Sequence, residues 1–300
     1  DRPRLRSGPK TPVPFLNRGR MTQRWREHRA SYRPAGETID PRRFGVELVD
    51  ERDAKAFVIR NHYSSSFVAA RRSVGLWRSR GAVWAPELVG VAVFSVGIQP
   101  KAITRWCGRP PNEGIELGRF VLLDEVEANA ETWFLRRAFA ELRRELPEVR
   151  AVLAYSDPMP RADATGALTL PGHVGTIYQA HNGRYTGRSS RRTIFLRPSG
   201  GLVSGRAIGK IRGGERGGGP EVDRIVADGA RRPRLCEDLS TWLAEVLAAP
   251  PFRALKHPGN HTYVWPLDGR RDTAATLAPQ AGSYPKIVDT NPNNLTLETR

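Results

Sequence analysis

Residues 115–157 read IELGRFVLLDEVEANAETWFLRRAFAELRRELPEVRAVLAYSD, and they decide the fold class. The apolar run at 115–126 predicts a buried strand. Asn129 then predicts the N-cap of a helix that Pro147 ends, and residues 149–157 predict a second strand. The apolar side chains at helical spacing are Trp133, Phe134, Ala138, Leu142 and Leu146. A strand, a helix and a further strand in this order are typical of an α/β or α+β protein.

The segments on either side continue this alternation. Residues 44–50 predict a strand, and residues 51–63 predict a helix that buries Ala56, Val58 and Ile59. Further predicted elements are strands at 87–98, 192–198 and 261–267, a short helix at 175–180 and an amphipathic helix at 239–249. We therefore expect a mixed central sheet flanked by helices.

Composition divides the chain into four segments. Residues 1–44 carry twelve Lys or Arg against four Asp or Glu and show little apolar periodicity, which predicts an extended or disordered basic arm. Residues 45–200 are expected to form the core, and residues 201–235 a basic Gly-rich insertion. Residues 236–300 are expected to complete the core with a helix, the last strand and a tail.

The formal net charge of +17 indicates a polyanionic partner, nucleic acid first and an anionic membrane second. Arg makes up 42 of the 48 basic residues, a bias that a GC-rich genome also produces. Cys107 and Cys236 lie far apart, which argues against a zinc ribbon, an iron–sulfur cluster or a disulfide framework. The sequence has neither an apolar run of bilayer length nor a signal-peptide core, so we expect a cytoplasmic protein.

Three familiar motifs are not matched. GRAIGKI (205–211) has three residues rather than four between its first glycine and Gly-Lys, and Ile follows, so it is not a phosphate loop. GGERGGGP (213–220) does not follow a strand and open a helix, and predicts a flexible loop. His257 and His261 are separated by a Pro-Gly pair, so they do not form a helical metal-binding pair.

Three polar clusters lie at the ends of predicted core elements: NHYSSSF (61–67), YSDP (155–158) and HVGTIYQAHNGRYTG (173–187). YSDP follows a buried strand, and open α/β sheets bind ligands at the carboxyl ends of their strands. The clusters therefore predict a pocket at one edge of the sheet.

The residues of these clusters also have structural interpretations. His62 is typical of a helix C-terminus, Asp157 before a proline is typical of a turn, and Tyr178 is typical of an amphipathic core position. Arg119 is harder to explain in this way, because a buried guanidinium needs an anionic or carbonyl partner. We expect that partner to be Asp157, Glu116 or a bound ligand.

HYS after an early helix, ELGRF before NAETWFL, then YSDP, H-x-GTIYQA-x-N and Y-TG together resemble the Mom family of phage DNA-modification proteins. That family belongs to the GNAT-like acyltransferase superfamily. The resemblance spans about residues 45–290 and includes Pro285 and Lys286. It implies a GNAT-like catalytic core at 45–200 that adds a carbamoylmethyl group to the N6 amine of adenine in duplex DNA. The modification would protect phage DNA from restriction enzymes in the cytoplasm of the infected bacterium.

Chemistry on the adenine amine requires the base out of the stack, aromatic walls and a proton acceptor. The residues expected to be catalytic are His62, Tyr63, Ser64, Arg119, Ser156, Asp157 and Tyr178. Tyr63 and Tyr178 are expected to stack on the base or handle protons, and Arg119 to orient Asp157 or the donor. Either His62 or Asp157 is expected to be the general base. These two are also weak candidates for metal ligands, although two side chains are too few to predict a metal site.

Residues 173–187 are expected to form one wall of the substrate pocket, with Tyr178 and Gln179 facing the flipped base. The residues expected to bind substrate are Tyr155, Gln179, Asn182 and Tyr185. Ser64, Ser156 and Gln179 are expected to read the base edge or the donor's carbonyl. Residues 182–187 are expected to form a turn, and His173 and His181 to matter less than Tyr178.

The group donor is not evident from the sequence. GNAT enzymes hold the coenzyme A pyrophosphate on a Gly/Arg-rich loop before the central helix. Here that position reads LLDEVEANAETW (122–133), with four carboxylates and no glycine. We therefore expect another acyl or aminoacyl donor, which includes charged transfer RNA, rather than coenzyme A in its usual pose.

Double-stranded DNA is the expected partner, bound through the basic arm and the basic insertion. The residues expected to contact its backbone are Arg18, Arg20, Arg24, Arg206, Lys210, Arg212 and Arg216. Three alternatives stay open: a GNAT-like amino acid transferase acting on a modified pyrimidine, a non-catalytic nucleic-acid-binding protein, and a GNAT-like enzyme acting on protein or small-molecule amines.

Overall fold

Strands and short helices alternate along the chain in the computed structural model, which describes residues 21–26, 29–34, 38–97, 99–267 and 281–286. The strands are β1 (Met21–Arg26), β2 (Arg29–Pro34), β3 (Phe44–Leu48), β4 (Ala70–Arg78), β5 (Glu87–Ser95), β6 (Gly114–Leu122), β7 (Ala151–Ser156), β8 (Arg161–Ala162), β9 (Leu168–Leu170), β10 (Arg184–Arg188), β11 (Arg192–Leu196), β12 (Leu202–Val203), β13 (Arg253–His257) and β14 (His261–Pro266). The helices are α1 (Glu51–Asn61), α2 (Pro100–Cys107), α3 (Ala130–Glu145), α4 (Thr176–Ala180), α5 (Gly205–Arg212), α6 (Gly218–Ala227) and α7 (Leu239–Ala248). Among these residues, no helix is both long and apolar enough to cross a membrane.

A seven-stranded sheet in the order β10–β14–β7–β6–β5–β4–β3 organises the core. Neighbouring strands are antiparallel except β6 and β7, which run parallel. In β5, Ala92 and Phe94 pack in the core cluster of α3, while Val91 and Val93 pack in that of α1, because successive side chains of a strand point to opposite faces. Helices α3 and α4 thus cover one face of the sheet, and α1 and α2 the other. The predicted mixed sheet flanked by helices is confirmed.

The parallel strands β6 and β7 separate towards their carboxyl ends. They pair only where residues 114–116 meet residues 151–153. Beyond that point β6 continues to Leu122 beside β5, and β7 continues to Ser156 beside β14. The gap between them lets side chains from both faces of the sheet approach each other.

A second hydrophobic core lies between β10 and β14 in the sequence. Strands β12, β11 and β13 form a small sheet, and α5, α6 and α7 pack on it. Ile211 of α5, Ile225 of α6 and Trp242 of α7 are almost completely buried in this core. We call this unit, residues 192–257, the helical subdomain. The predicted segment boundaries at residues 200 and 235 fall inside it.

Two segments expected to be irregular contain regular structure. Within the predicted arm, β1 and β2 are extended, as one form of the prediction has it, but they pair as an antiparallel hairpin rather than staying irregular. The predicted flexible loop at 213–220 is wrong for its last three residues, because Gly218 begins α6. Residues 205–211, which do not match a phosphate loop, lie in α5, where the Ser204 hydroxyl oxygen accepts from the Ala207 N–H at 3.1 Å.

Candidate active site

The three predicted polar clusters meet where β6 and β7 separate. The loop after α1 presents Tyr63, whose ring centroid lies 6.3 Å from that of His173. The backbone N–H of His173 donates to the carbonyl oxygen of Asp157, directly after β7, at 2.7 Å. Tyr178 on α4 lies within electrostatic range of Tyr63 and Arg119. We call the following residues the site cluster: His62, Tyr63, Arg119, Ser156, Asp157, His173 and Tyr178.

A chain of hydrogen bonds runs from Arg119 on β6 to His62 at the end of α1. Arg119 Nη2 donates to Ser66 Oγ at 2.8 Å, the Ser66 hydroxyl donates to Ser64 Oγ at 3.2 Å, and the Ser64 hydroxyl donates to His62 Nδ1 at 2.8 Å. The Ser64 N–H also donates to His62 Nδ1, at 3.1 Å, so the neutral ring carries its proton on Nε2. Burial, reinforced by the charge of Arg119, lowers the pKa of His62 to about 3. His62 is therefore a neutral hydrogen-bond donor at physiological pH, and because its acceptor nitrogen Nδ1 is already in use, the expected role as general base is disfavoured.

Arg119 donates its other hydrogen bonds to backbone carbonyls. Nε donates to the Ser66 carbonyl at 2.9 Å and Nη1 to the Gly118 carbonyl at 2.6 Å. The expected hydrogen bond to Asp157 is not among the contacts of the described residues, and Glu116 acts on the guanidinium through its charge. Although burial lowers the pKa of Arg119, the group brings a positive charge to the gap between β6 and β7.

The carboxylate of Asp157 accepts three hydrogen bonds. Oδ1 accepts from the Met159 N–H at 3.0 Å and from His257 Nε2 at 2.9 Å, and Oδ2 accepts from Arg161. His257 Nδ1 accepts from the Gly259 N–H at 3.0 Å, so the proton of the neutral ring lies on Nε2 and points at Asp157. These bonds fix the carboxylate and use most of the lone pairs that a general base would need. Asp157 is thus placed to anchor the site.

The ring of Tyr178 packs in the hydrophobic core, and Tyr178 also neighbours Tyr63 and Arg119 at the gap between β6 and β7. Its ring packs on Tyr263 and Trp265, with both centroid distances at 5.5 Å. Gly175, at φ 76°, permits this packing, because a Cβ there would lie 2.6 Å from the Tyr263 ring and 3.1 Å from Ser156 Oγ. Ser156 is 0% exposed, and its hydroxyl has no hydrogen-bond partner in the described part of the chain. Buried hydroxyls without partners are rare, and a catalytic role is one of their explanations, which makes Ser156 a candidate functional residue.

The two tyrosines of the site cluster are protonated at neutral pH. Burial raises the pKa of Tyr63 and of Tyr178 above the ordinary phenol value. Both can donate a hydrogen bond or stack on a ring.

Tyr155 and Gln179, both expected to bind substrate, are used elsewhere. Tyr155 packs in the cluster of α2, on the sheet face opposite Ser156, and burial raises its pKa. Gln179 Nε2 lies 3.0 Å from each of three oxygens. These are the carbonyls of Val174 and Pro285 and the hydroxyl of Tyr263. Gln179 thus links the Pro285 backbone to the core through a hydrogen bond, and Pro285 is one of the residues that carry the resemblance to the Mom family.

Asn182 and Tyr185 are also outside the site cluster. Asn182 has φ 56° and is followed by Gly183, whose N–H donates to the Tyr178 carbonyl at 2.8 Å. The expected turn at 182–187 is therefore short, because β10 starts at residue 184. The Tyr185 hydroxyl is hydrogen-bonded to His261 Nδ1 at 3.1 Å inside the core.

Four residues of the site have no counterpart among the expected catalytic residues: Ser66, Arg161, His173 and His257. Ser66 stands in the quoted SSS stretch, and only the contact with Arg119 distinguishes it from its neighbours. His257 lies 100 residues from Asp157, and local spacing carries no signal of their contact. The ring of His173, like that of His181 on the core side of α4, makes no hydrogen bond with any residue that the structure describes, but only His173 lies beside Tyr63.

The described residues bear on two groups that the site could hold, a metal ion and the pyrophosphate of coenzyme A. Within the described ranges, no group of three or more His, Cys, Asp or Glu side chains could hold a metal ion. At the start of α3, Asn129 adopts φ 64° without a side-chain cap, after a turn that contains Asp124, Glu125 and Glu127. The Ile39 N–H donates to the Ala128 carbonyl at 3.0 Å, so the segment around Ile39 packs beside this turn. A pyrophosphate here would meet carboxylates rather than a cradle of free N–H groups.

A mixed sheet whose parallel central strands separate around a polar cluster defines an α/β protein with a candidate site at one gap of its sheet. The model of the Mom protein family matches residues 43–286, and the chain belongs to this family. No curated protein is significantly similar to the chain. A solved structure described as a tandem GNAT protein from the clavulanic acid biosynthesis pathway (without AcCoA) is similar at 8% identity and a TM-score of 0.38, covering 75% of this chain and 99% of that one.

Proposed function

We propose that the protein is a transferase that modifies DNA, and that it adds a carbamoylmethyl group to the N6 amine of adenine. Family membership supports DNA as the substrate, and the net charge of +17 favours a polyanion. The observation that carries the proposal is the site cluster. It combines the neutral donor His62, the cation Arg119 and the unpartnered hydroxyl of Ser156 at one gap in the sheet.

His173 is the proton acceptor in this proposal. The acceptor atoms of other basic groups near the site are in use: Nδ1 of His62 and of His257, Nδ1 of His261, and both carboxylate oxygens of Asp157. His181 also has an unused Nδ1, but its ring packs against Phe139 and Trp265 in the core. The His173 ring has no such bond in the described structure, and burial lowers its pKa, so it is unprotonated at neutral pH. A neutral imidazole next to Tyr63 can take the proton that the amine loses.

The proposed step forms one bond and breaks one. The N6 nitrogen bonds to a carbon of the transferred group, and the bond from that carbon to the donor breaks, with its electron pair leaving on the donor fragment. The N6 proton passes to His173. Arg119 and the Nε2–H of His62 stabilise the negative charge that develops on the donor fragment. Tyr63 and Tyr178 flank the base once it has left the stack.

The carbamoylmethyl group joins N6 through its methylene carbon, so the donor in this proposal carries its leaving group on that carbon. An acyl or aminoacyl donor, charged transfer RNA included, would join N6 through its carbonyl carbon instead, and glycine would then give N6-glycyladenine, an isomer of the carbamoylmethyl product. The carboxylates at the start of α3 favour either kind of donor over coenzyme A in its usual pose. Protection of phage DNA from restriction in the host cytoplasm is the proposed biological role.

Mass spectrometry of nucleosides tests the proposal, using plasmid DNA from cells that express the full chain and therefore contain the donor. The wild-type protein is expected to give a nucleoside heavier than deoxyadenosine. His173→Asn is expected to lower its yield by about 100-fold or more, the usual contribution of a general base. Tyr178→Phe is expected to lower it as well. The matched controls His181→Asn and Tyr185→Phe, on the same segment but outside the site cluster, are expected to retain the yield.

Three outcomes contradict parts of the proposal. A heavier pyrimidine nucleoside would support amino acid transfer to a modified pyrimidine instead of adenine chemistry. No modified nucleoside from the wild-type protein would favour a non-catalytic nucleic-acid-binding protein. An undiminished yield from a folded His173→Asn variant would exclude this histidine as the proton acceptor.

A further inference from the structure

The helical subdomain carries basic residues of two kinds. The first kind is paired with carboxylates: Arg197 with Asp228, Arg224 with Glu221, Arg231 with Glu237 and Glu245, and Arg232 with Asp223. The second kind has no ion-pair partner in the part of the chain that the structure describes. Four of its members cluster on α5 and in the turn after it, namely Arg206, Lys210, Arg212 and Arg216, whereas Arg192, Arg234, Arg253 and Lys256 are spread over the rest of the subdomain. No carboxylate of the described subdomain therefore compensates the charge of the four clustered side chains.

The fold directs these charges away from the subdomain core. Ala207 and Ile211 are the buried residues of α5. Arg206 and Lys210 are one helical turn apart, so they lie on the same side of the helix, and Arg212 ends it. Arg206, Arg212 and Arg216 are exposed. An exposed set of unpaired cations on a rigid helix suits an anionic partner that presents regularly spaced charges.

The basic helix begins close to the site cluster. Gly200 packs on β8, where a Cβ would lie 3.0 Å from the carbonyl carbon of Ala162. Ala162 directly follows Arg161, which binds Asp157. Ser204, the N-cap of α5, follows Gly200 by four residues, so the two lie at most about 14 Å apart. Duplex DNA carries one phosphate charge per about 1.7 Å of its axis, so a duplex at the site presents several phosphates within that distance.

We propose that α5 and the turn at 213–217 form a docking face for the phosphate backbone of duplex DNA. The proposal rests on the proposed function for the identity of the partner, since the duplex is the substrate whose base enters the site. Each cation that meets a phosphate releases bound counterions and contributes about 0.9 to the salt dependence of binding. The four cations together account for a slope of about 3.6 in log K against log salt.

The experiment compares two double variants of the full chain that remove the same charge. Arg206→Gln/Arg212→Gln removes unpaired cations, whereas Arg224→Gln/Arg232→Gln removes exposed arginines that are paired with carboxylates. Fluorescence anisotropy with a short labelled duplex gives the affinity over a range of salt concentrations. The first variant is expected to lower the slope by about 1.8, and the control variant by much less.

Two results would overturn the docking face. One is an equal decrease of the slope in both variants, which would mean that only the total charge matters. The other is a decrease seen with transfer RNA but not with the duplex. Failure of the proposed function shows separately, because it leaves the wild-type protein without a modified nucleoside while the difference between the two variants persists.

Discussion

His257 has its proton position fixed by two neighbours. The ring is 1% exposed; it accepts from the Gly259 N–H and donates to Asp157. His257→Phe would leave that N–H without an acceptor and the carboxylate short of a donor. We expect it to lower the free energy of unfolding by about 2–4 kcal/mol, since buried polar groups without partners are costly.

A second variant separates the hydrogen bond of His257 from the packing of its ring. His257→Gln keeps an N–H donor near Asp157 and is expected to lose about half as much stability as His257→Phe. Urea unfolding followed by tryptophan fluorescence gives both values. Equal losses in the two variants would show that ring packing, and not the donor, stabilises this position.

Single residues also show where sequence reasoning ends. In α1 the buried residues are Ala54 and Val58, whereas Ala56 and Ile59, predicted to be buried, are exposed, Ile59 at 43%. The helix was correctly placed, but its rotational position depends on the sheet beneath it. His173 illustrates the same limit, because only the bond from its backbone to the Asp157 carbonyl places it beside Tyr63.

At the scale of elements, the same substitution is expected to act in opposite directions at two glycines. Gly209 lies inside α5, and a Cβ there meets nothing within 4 Å. Gly209→Ala is expected to raise the free energy of unfolding by about 0.5–1 kcal/mol, because alanine favours the helical backbone. Gly175 has φ 76°, and a Cβ there would lie 2.6 Å from the Tyr263 ring. Gly175→Ala is therefore expected to lower the free energy of unfolding.

Thermal unfolding of the two alanine variants, each against the wild-type protein, checks this pair. A destabilised Gly209→Ala variant would indicate that the outer side of α5 contacts protein. An unchanged Gly175→Ala variant would mean that the start of α4 can move away from Tyr263. In that case the position of Tyr178 would not depend on the glycine.

Elements with strong apolar patterns were predicted from the sequence, and those with mixed patterns were not. Strands β3, β5, β6 and β7 and helices α1 and α3 all form near their predicted positions. Strand β4 (ARRSVGLWR) has arginines at its second and third positions, and α2 (PKAITRWC) is short, so neither has a clear period. Helices α5 and α6 contain four glycines, which lower helix propensity, and their packing around Trp242 compensates. The predicted strand at 192–198 forms as β11, but in the small sheet.

At the scale of the whole molecule, the candidate site joins two hydrophobic cores. Asp157 follows a strand of the central sheet, whereas its partner His257 ends a strand of the helical subdomain. The Ala164 N–H donates to the Pro198 carbonyl at 2.7 Å, and Arg253 donates to the Asp163 carbonyl at 3.2 Å. These contacts connect the subdomain that carries the proposed docking face to the segment that carries the site cluster. A duplex bound on the docking face would therefore have a fixed position relative to the site cluster. No local pattern could predict this junction, because its partners are distant in sequence.

The buried histidines make the stability of the whole protein depend on pH. Burial lowers the pKa of His62 to about 3 and of His261 to about 4, and it also lowers those of His173 and His181. Between these values and about 6.5, the unfolded chain binds more protons than the folded protein. The free energy of unfolding is therefore expected to be highest above about pH 6.5 and to fall as the pH decreases towards 4.

The slope of that fall counts the protons involved, at about 1.4 kcal/mol per pH unit for each one. His62→Gln/His261→Gln removes two of the titrating rings and is expected to reduce the slope by up to about two protons. Urea unfolding at several pH values between about 6.5 and 5.5 measures this slope. That range lies above the pH at which the carboxylates of the unfolded chain take up protons, so ion-paired groups such as Glu237, with its pKa of about 2, do not contribute. A slope that the double variant leaves unchanged would mean that these two rings are protonated in the folded protein. The assignment of His62 as a neutral donor would then fail as well, because its Nδ1 could no longer accept from Ser64.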